Sequence, residues 1–265
     1  MQPINNRTIK ALILDMDGVL WRESQTIGDL PAIFSRIQLC GLKVSLATNN
    51  STLSVGQYLQ KFHSFGVTLT PEQIVNSSMA VVHYLSKRYP NGGDVHIIGE
   101  DGLIQTLAKS GFQQGEGVIL AVIVSMDRQL TYEKLRRAAL LIRSGVPFIG
   151  TNPDKTFPTP EGLAPGAGAI LAAIEAATSV APVIVGKPSP EMYIVAMERM
   201  GATPETTLVV GDRLETDIAG GQQLGCQTGL VLSGVTSPDA ARSWVPAPDW
   251  IEPDLTALLD RLLIG

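Results

Sequence analysis

The sequence predicts an α/β fold built on a doubly wound, mostly parallel β-sheet. Short apolar runs of strand length alternate along the chain with longer stretches in which apolar residues recur at helical spacing. Glycines close many of the helical stretches, as is typical of helix C-termini. Alternating strands and helices favour a parallel sheet with helices on its faces. The rhythm changes in the middle of the chain, which predicts a smaller α/β unit inserted between two parts of the main sheet.

The first part of the chain, residues 1–80, opens on an apolar run that ends at Leu14 and predicts a buried strand. A second strand is predicted at Lys43–Ala47. The helical stretches in this part follow N-cap signals or end at glycines. They cover Leu30–Cys40, Ser54–Phe65 and an interrupted stretch from Thr70 to Arg88.

Residues 81–180 form the predicted insertion, which is long enough to bury a core of its own. Its predicted strands are Val95–Ile98, Val118–Val124 and Pro147–Gly150. Its predicted helices are Gly102–Lys109, Thr131–Ser144 and a stretch of small residues from Pro165 to about Thr178. A long polar loop is predicted at Thr151–Ala164.

Residues 181–265 return to the first rhythm and are expected to complete the main sheet. The predicted strands are Val183–Val185, Thr207–Val210 and Thr228–Leu232. The predicted helices are Ser189–Met200, a stretch from Asp217 to about Gly225, and Leu255–Leu263.

The composition excludes several classes of protein. The net charge of −5 gives no basic surplus, which argues against nucleic-acid binding. The two cysteines, Cys40 and Cys226, have no CxxC spacing, which argues against a disulfide framework or a zinc site and suits a reducing cytoplasm. No apolar signal-peptide core follows Met1, and no segment reaches the roughly 18 apolar residues of a membrane span. A cytoplasmic protein without membrane contacts is expected.

Chemically active side chains follow several of the predicted strands. They are Asp15, Asp17, Thr48, Asn49, Lys187 and Asp212. Ligands of open α/β sheets bind beyond the carboxyl ends of the strands, so we expect these residues to converge. A nucleophile, hydrogen-bond donors, a cation and metal ligands are what phosphoryl transfer through a covalent aspartyl-phosphate requires.

The two acids after the first strand have distinct expected roles. Asp15 is the candidate nucleophile, and with Asp212 it offers the oxygen ligands that Mg²⁺ prefers. Asp17 shares a face with Asp15, because residues i and i+2 of an extended segment point the same way. It can protonate the leaving oxygen and later activate water. Gly18 permits a tight turn, and Trp21 is expected to pack in the core.

The other residues are candidate phosphate ligands. Thr48 can donate its hydroxyl, Asn49 its backbone N–H and Lys187 its positive charge. Each has a structural alternative: a strand end with a helix cap, or a solvated lysine. Gly211-Asp212 is equally compatible with a turn, and Asp217 with a favourable charge at a helix N-terminus. Their joint appearance at successive strand ends favours the functional interpretation.

The chain resembles the haloacid dehalogenase (HAD) superfamily of phosphatases. Asp15-Met16-Asp17-Gly18-Val19-Leu20 matches the first motif of that family, and Thr48-Asn49-Asn50 the second. Lys187-Pro188 matches the third motif, and Gly211-Asp212-Arg213 with Asp217 the fourth. Gly186-Lys187-Pro188, and Thr151-Asn152-Pro153-Asp154 with Phe157-Pro158, are similar to the subclass IIA enzymes of the NagD and 4-nitrophenylphosphatase type.

The resemblance implies a Rossmann-like catalytic core over residues 1–80 and 181–265, with residues 81–180 as an inserted α/β cap of the C2 type that helps choose the substrate. It implies that Mg²⁺ is bound by Asp15, the backbone carbonyl of Asp17, and Asp212. Asp217 would act through bound water or by orienting its neighbours. Asn152 and Asp154 are candidate substrate contacts in the cap, with an Asn-Pro-Asp turn whose side chains satisfy one another as the alternative.

The expected function is therefore Mg²⁺-dependent hydrolysis of small phosphomonoesters through an aspartyl-phosphate. Nucleotides, sugar phosphates, phosphoglycolate and 4-nitrophenyl phosphate remain open as substrates. One alternative is a phosphotransferase or mutase that uses the same intermediate, and another is a phosphate-ligand binding protein without turnover. The expected partner is a small phosphorylated metabolite, and an apolar cap surface could support a homodimer.

Overall fold

The computed structural model describes residues 9–159 and 161–264. These residues form two compact units. The first unit contains the described residues up to Thr48, Gly56–Val75, and the chain from Tyr193 onward. The second unit contains Asn49–Val55 and Asn76–Met192.

The strands and helices alternate through most of the described chain. The strands are β1 (Ala11–Leu14), β2 (Trp21–Arg22), β3 (Gln25–Thr26), β4 (Lys43–Thr48), β5 (Ile74–Asn76), β6 (Gly93–Ile98), β7 (Phe112–Gln114), β8 (Val122–Val124), β9 (Phe148–Gly150), β10 (Thr156–Thr159), β11 (Gly162–Pro165), β12 (Val183–Ile184), β13 (Thr207–Gly211), β14 (Gln227–Val231) and β15 (Trp250–Glu252). The α-helices are α1 (Leu30–Leu39), α2 (Val55–Ser64), α3 (Ser77–Ser86), α4 (Asp101–Lys109), α5 (Tyr132–Arg143), α6 (Ala167–Thr178), α7 (Pro190–Met200), α8 (Ala219–Gln223), α9 (Pro238–Ser243) and α10 (Leu255–Ile264).

The first unit is built on a six-stranded sheet with the order β15-β14-β13-β1-β4-β5. Every pairing from β15 to β4 is parallel. The chain builds outward from β1 in one direction through β4 and in the other through β13, so the order reverses between β1 and β13. Ligand sites of doubly wound sheets form at such a reversal, beyond the carboxyl ends of the strands. The predicted doubly wound, mostly parallel α/β fold is confirmed.

Strand β1 occupies the centre of this sheet because all four of its side chains are apolar and buried. Its register places Leu14 opposite Val210 of β13, and the N–H of Asp15 donates to the Val210 carbonyl at 2.8 Å. The residues that follow β1 and β13 are therefore neighbours at one edge of the sheet. Asp15 follows the first strand directly, and Asp212 follows the second.

The second unit contains a five-stranded sheet with the order β12-β9-β8-β6-β7, parallel throughout. Its strands β8 and β9 are short buried runs without polar side chains, which suits strands covered on both faces. Helices α5 and α6 pack on it around a core that includes Val122, Ile142 and Leu171. The N-cap residue Thr131 starts α5 by accepting a hydrogen bond from the N–H of Lys134.

The interrupted helical stretch predicted from Thr70 to Arg88 is divided by a strand, β5, that the sequence did not predict. A 3₁₀ turn at Pro71–Gln73 is closed by the Gln73 side chain, which accepts from the N–H of Thr70, and strand β5 follows. Helix α3 starts only at Ser77, because Asn76 caps it by accepting from the N–H of Met79. Local side-chain to backbone bonds thus interrupt a helical pattern, as short polar side chains often do.

Strands are also missing from the sequence prediction. The predicted loop Thr151–Ala164 contains β10, which pairs antiparallel with β11, and β15 adds an edge strand after the Pro-rich segment. Strand Val183–Ile184 pairs with β9 in the sheet of the second unit, although the sequence grouped it with the main sheet. The assignment of residues 1–80 and 181–265 to a core, and of 81–180 to a cap, stays a prediction.

Two findings bear on the class of protein. Among the described helices, none combines the length and the apolar character needed to cross a bilayer. Both cysteines are free, and burial raises the pKa of the Cys226 thiol to about 12, so this thiol is protonated and unreactive at neutral pH.

Candidate active site

An acidic cluster lies at the carboxyl edge of the first unit's sheet. Asp15, Asp212 and Asp217 each present a carboxylate oxygen, and these oxygens all lie within 4.8 Å of one another. Asp212 and Asp217 are buried, while Asp15 is partly exposed. Three carboxylates this close repel one another unless protons or a cation offset their charge. Hard divalent cations prefer such oxygen ligands, so the residues present fit a metal of the Mg²⁺ type.

Asp212 is held in a narrow cradle of glycines. Its Oδ2 accepts a hydrogen bond from the N–H of Val235 at 2.7 Å. A Cβ atom at Gly18 would lie 2.5 Å from this oxygen, and one at Gly234 only 1.9 Å. Gly18 also has a φ of +82°, so the turn after Asp17 needs glycine both for its backbone conformation and for space. The sequence predicted the turn at Gly18, but nothing in the sequence pointed to Gly234.

Asp217 supports the loop that carries Asp212. Its Oδ2 accepts from the N–H of Arg213 at 3.2 Å and lies 3.5 Å from the Thr216 hydroxyl. These bonds cap the π-helical turn Leu214–Ile218, which leads into α8. A Cβ at Gly211 would overlap the Asp217 side chain at 2.2 Å. Asp217 therefore fits both interpretations of the sequence: it lies in the first turn of a helix, and it belongs to the acidic cluster.

Asp17 has a different environment from the three clustered acids. Its side chain is exposed, and its Oδ1 accepts a hydrogen bond from the indole N–H of Trp21 at 2.8 Å. Trp21 is fully buried and packs edge-on against Phe62, with ring centroids 5.0 Å apart. The expected core packing of Trp21 is confirmed, and its polar tip also orients Asp17.

Two residues of α2 complete this region and were missed by the sequence analysis. A hydrogen bond joins the side chains of Tyr58 and Thr48, both buried. Burial, and secondarily the negative charge of Asp17, raise the pKa of Tyr58, so the phenol stays neutral. The Lys61 ammonium lies 3.9 Å from the centre of the Trp21 ring, and burial lowers its pKa while Asp17 raises it. The one sequence signal that could have pointed to Tyr58 and Lys61 together is their i, i+3 spacing, which places them on the same face of α2.

Tyr193 supports the turn Leu214–Ile218, which contains Asp217. Tyr193 is the first residue of the last segment of the first unit. Its hydroxyl donates to the Thr216 carbonyl at 2.9 Å. Burial raises the pKa of Tyr193 well above its usual value, and the charges of Asp217 and Asp15 add to this effect. The neutral phenol can therefore act as a permanent donor to the loop. Gly220 leaves room for the ring, since a Cβ there would lie 2.5 Å from it.

The second unit brings together Asn49, Asn152, Asp154 and Lys187. The N–H of Lys187 donates to the side-chain oxygen of Asn49 at 2.8 Å, and the Asn49 amide donates to the Lys187 carbonyl at 3.2 Å. The same amide nitrogen lies 3.4 Å from a carboxylate oxygen of Asp154. Lys187 is buried, and the peptide bond to Pro188 is cis.

Asn152 is occupied by bonds within its own unit. Its amide donates to the Asn49 carbonyl at 3.0 Å, and its oxygen accepts from the N–H of Asp154 at 3.1 Å. These bonds favour the self-satisfied Asn-Pro-Asp turn that the sequence left open for Asn152. A substrate contact at Asp154 stays a prediction.

Comparison with known proteins agrees with this geometry. The family model described as haloacid dehalogenase-like hydrolase matches residues 12–113, and the HAD-hydrolase-like model matches residues 184–258. An acid sugar phosphatase of Staphylococcus aureus is 32% identical over 96% of this chain and 98% of its own length.

Solved structures give the same result. NagD from E. coli K-12 superimposes with a TM-score of 0.87 and 36% identity, covering 93% of this chain and 97% of that one. A p-nitrophenyl phosphatase from Archaeoglobus fulgidus has a TM-score of 0.89 and 29% identity, covering 96% and 99%. The chain therefore belongs to the haloacid dehalogenase-like hydrolase family, in its branch of phosphatases related to NagD and the 4-nitrophenylphosphatases.

Proposed function

We propose that this phosphatase hydrolyses small phosphomonoesters through a covalent phosphate ester of Asp15. The observation that carries the proposal is the cluster of Asp15, Asp212 and Asp217 at the point where the strand order of the sheet reverses. A carboxylate nucleophile beside further acids is suited to phosphoryl transfer only with a bound cation, and this cluster fits one.

The proposed reaction has two steps. A carboxylate oxygen of Asp15 attacks phosphorus, the bond to the leaving oxygen breaks, and Asp17 supplies the proton that this oxygen needs. A water molecule then attacks the phosphorus of the aspartyl-phosphate and gives a proton to Asp17. The bond from phosphorus to the Asp15 oxygen breaks, which releases inorganic phosphate and restores the Asp15 carboxylate. Trp21 supports the second role of Asp17, since its indole N–H holds the carboxylate in one orientation.

Mg²⁺ is the proposed cofactor, with Asp15, the backbone carbonyl of Asp17, and Asp212 as its ligands. Asp217 would act through bound water or through the loop that it caps. When bound, the cation would offset the negative charge of the carboxylates and of the phosphate.

The remaining site residues have proposed binding roles. Thr48 would donate its hydroxyl to the phosphate, supported by its hydrogen bond with the neutral Tyr58. Asn49 would donate its backbone N–H, and Lys187 would offset charge on the transferred group. The segment of residues 81–180 is proposed as the cap that selects the substrate, with Asp154 as its candidate contact. For Asn152 the hydrogen bonds favour a supporting role.

The proposed substrates are small phosphorylated metabolites, including sugar phosphates. The family relatives support this class, because one is named an acid sugar phosphatase and another a p-nitrophenyl phosphatase. Cytoplasmic location and a homodimer formed through the cap stay predictions from the sequence.

The decisive experiment measures phosphate release from a panel of phosphomonoesters, including 4-nitrophenyl phosphate, with and without Mg²⁺. We expect turnover in the wild type and none above background in Asp15→Asn. Asp239→Asn is the matched control, because Asp239 is an exposed residue of α9 that pairs with Arg242. Retained turnover in Asp15→Asn would remove Asp15 from the nucleophile role.

Two alternatives are separated by the products. Transfer of the phosphoryl group to an added sugar or nucleoside, in place of water, would indicate a phosphotransferase. Tight binding of phosphate esters without release of phosphate would indicate a binding protein.

A further inference from the structure

We infer that Asn49 is a positioning residue. Its side chain fixes the backbone of Lys187, and Asn49 thereby contributes to hydrolysis indirectly, by holding the Lys187 ammonium in place. The inference rests on the proposed function of Lys187. The side-chain amide of Asn49 accepts from the Lys187 N–H at 2.8 Å and donates to the Lys187 carbonyl at 3.2 Å. A single primary amide thus satisfies both polar groups of one peptide residue, in the manner of a strand pairing.

Gly186 shows that the chain is built around this contact. A Cβ atom at residue 186 would lie 2.7 Å from the Asn49 side-chain oxygen and 2.1 Å from the Thr151 carbonyl. Gly186 does not have a positive φ, so its absent side chain is explained by space rather than by backbone conformation. Gly186 therefore lies directly against the Asn49 side-chain amide, the same group that bonds the Lys187 backbone.

Asn49 is itself held by two donors. Its backbone carbonyl accepts from the Asn152 amide at 3.0 Å and from the Ser77 hydroxyl at 2.8 Å. Ser77 is the first residue of α3, directly after the N-cap residue Asn76. The carbonyl of Asn49 is thereby anchored to a helix start on one side and to the loop after β9 on the other.

A chain of buried hydroxyls closes this network. The Asn152 amide also donates to the Thr151 hydroxyl at 3.2 Å, which lies 3.0 Å from that of Ser125. The Ser125 hydroxyl bonds that of Ser51 at 2.7 Å, only two residues after Asn49. Each of these side chains is buried, where partly satisfied polar networks are costly and fully satisfied ones are rigid.

Fixing the backbone matters at Lys187 because its side chain is buried and has little room to readjust. A shift of the backbone is therefore carried to the ammonium. A misplacement of about 1 Å can cost on the order of 100-fold in rate. Replacing the Asn49 side chain leaves its own backbone N–H in place, so any direct phosphate contact by that group survives the substitution.

A double-mutant cycle tests the inference, with kcat/KM for 4-nitrophenyl phosphate as the readout. We expect Asn49→Ala to lower kcat/KM about 10- to 100-fold in the wild-type background. In a Lys187→Met background the same substitution should cost less than about threefold, because the group through which it acts is gone. Equal losses in both backgrounds would overturn the inference. If turnover of Lys187→Met is too slow to measure, the same cycle is run on the dissociation constant of inorganic phosphate.

A second measurement keeps the test independent of turnover. Hydrogen exchange of the Lys187 backbone amide should accelerate at least tenfold in Asn49→Ala, because that amide loses its acceptor. Unchanged exchange would refute the contact itself. If the wild type released no phosphate, the proposed function would be wrong. The exchange measurement would still test the hydrogen bond between Asn49 and the Lys187 N–H.

Two further variants guard against trivial explanations. Asn49→Asp has nearly the same volume but sets an acceptor against the Lys187 carbonyl and Asp154, so it replaces Asn49→Ala in the cycle if that variant does not fold. Asn91→Ala is the matched control, since Asn91 lies exposed in a turn of the same unit. Its exchange and kcat/KM should equal those of the wild type.

Discussion

At the scale of single residues, the acids of the candidate site differ in how they are held. Asp17 is exposed and oriented by the Trp21 indole, whereas Asp212 is buried between Gly18 and Gly234. Asp217 is fixed by the loop that it caps. An exposed acid with one fixed donor suits proton transfer, and a rigid buried carboxylate suits metal binding.

Trp21→Phe keeps the aromatic packing and removes the hydrogen bond to Asp17. Hydrogen bonds to charged groups contribute about 1.5–3 kcal/mol, so we expect kcat/KM to fall at least about tenfold. The thermal midpoint should also fall, because Trp21 is fully buried and the smaller ring leaves a cavity. Trp244→Phe is the matched control, because the Trp244 indole donates to the Gln222 side chain rather than to a carboxylate of the site. A Trp21→Phe enzyme as active as the wild type would show that the indole N–H has no part in turnover.

Gly234→Ala should weaken Mg²⁺ activation, because the new methyl group would lie 1.9 Å from the Asp212 carboxylate and displace it. We expect the Mg²⁺ concentration for half-maximal activity to rise at least about tenfold, as for other changes that shift a metal ligand. Gly117→Ala controls for the change of residue type, since its Cβ meets only the Asp94 carboxylate at 3.2 Å. An unaltered Mg²⁺ requirement in Gly234→Ala would contradict the role given to Asp212.

At the scale of elements, the sequence located most strands and helices because their apolar periodicity is a local property. It failed where short polar side chains redirect the backbone, as at Gln73 and Asn76, where the unpredicted strand β5 lies within a predicted helical stretch. It also failed for the hairpin of β10 and β11, where no alternation of apolar and polar residues marks the strands. Contacts such as Trp21 to Asp17 join side chains whose relative orientation no pattern encodes.

His96 of strand β6 should make the free energy of unfolding depend on pH. Burial lowers the pKa of His96. The hydrogen bond with the Lys134 carbonyl opposes this effect, and the nearby charges of Arg137 and Lys134 add to it. The Gln114 amide lies 3.2 Å from Nδ1, which suits a neutral ring that accepts there. His96 therefore binds a proton at a higher pH in the unfolded chain than in the folded one. The free energy of unfolding should fall as the pH drops below the pKa of about 6.5 that histidine has in the unfolded chain.

Urea unfolding at pH 7.5 and pH 5 checks this expectation. The wild type should lose more free energy of unfolding on acidification than His96→Gln, which cannot take up the proton. His63→Gln is the matched control, because His63 lies on an exposed position of α2. Identical pH dependence in the wild type and His96→Gln would remove His96 as a source of acid sensitivity.

At the scale of the whole molecule, the four motifs of the sequence predicted the family and the class of fold. They could not give the strand order β12-β9-β8-β6-β7, which depends on which strand edges meet rather than on any one segment. The second-unit network around Asn49 was equally hidden, because Ser51, Ser125 and Asn152 are ordinary polar residues in a linear chain.

Metal binding should stabilise the folded molecule. A ligand at 100 times its dissociation constant raises the free energy of unfolding by about 2.7 kcal/mol, so Mg²⁺ should raise the thermal midpoint of the wild type by several degrees. Asp212→Asn should lose this rise, and Asp239→Asn should keep it. A rise of equal size in Asp212→Asn would place the stabilising ion elsewhere.

The central position of β1 also determines when the molecule can be completed during synthesis. Its partners are β4, close by in the chain, and β13, where Ala11 pairs with Thr207. The ribosome must therefore release the chain through β13 before the buried strand β1 acquires its second neighbour. The second unit, by contrast, is nearly continuous in sequence and can fold first. A nascent chain stalled before β13 would expose β1 to aggregation, so late truncation should be far more damaging than its distance from Asp15 in the sequence suggests.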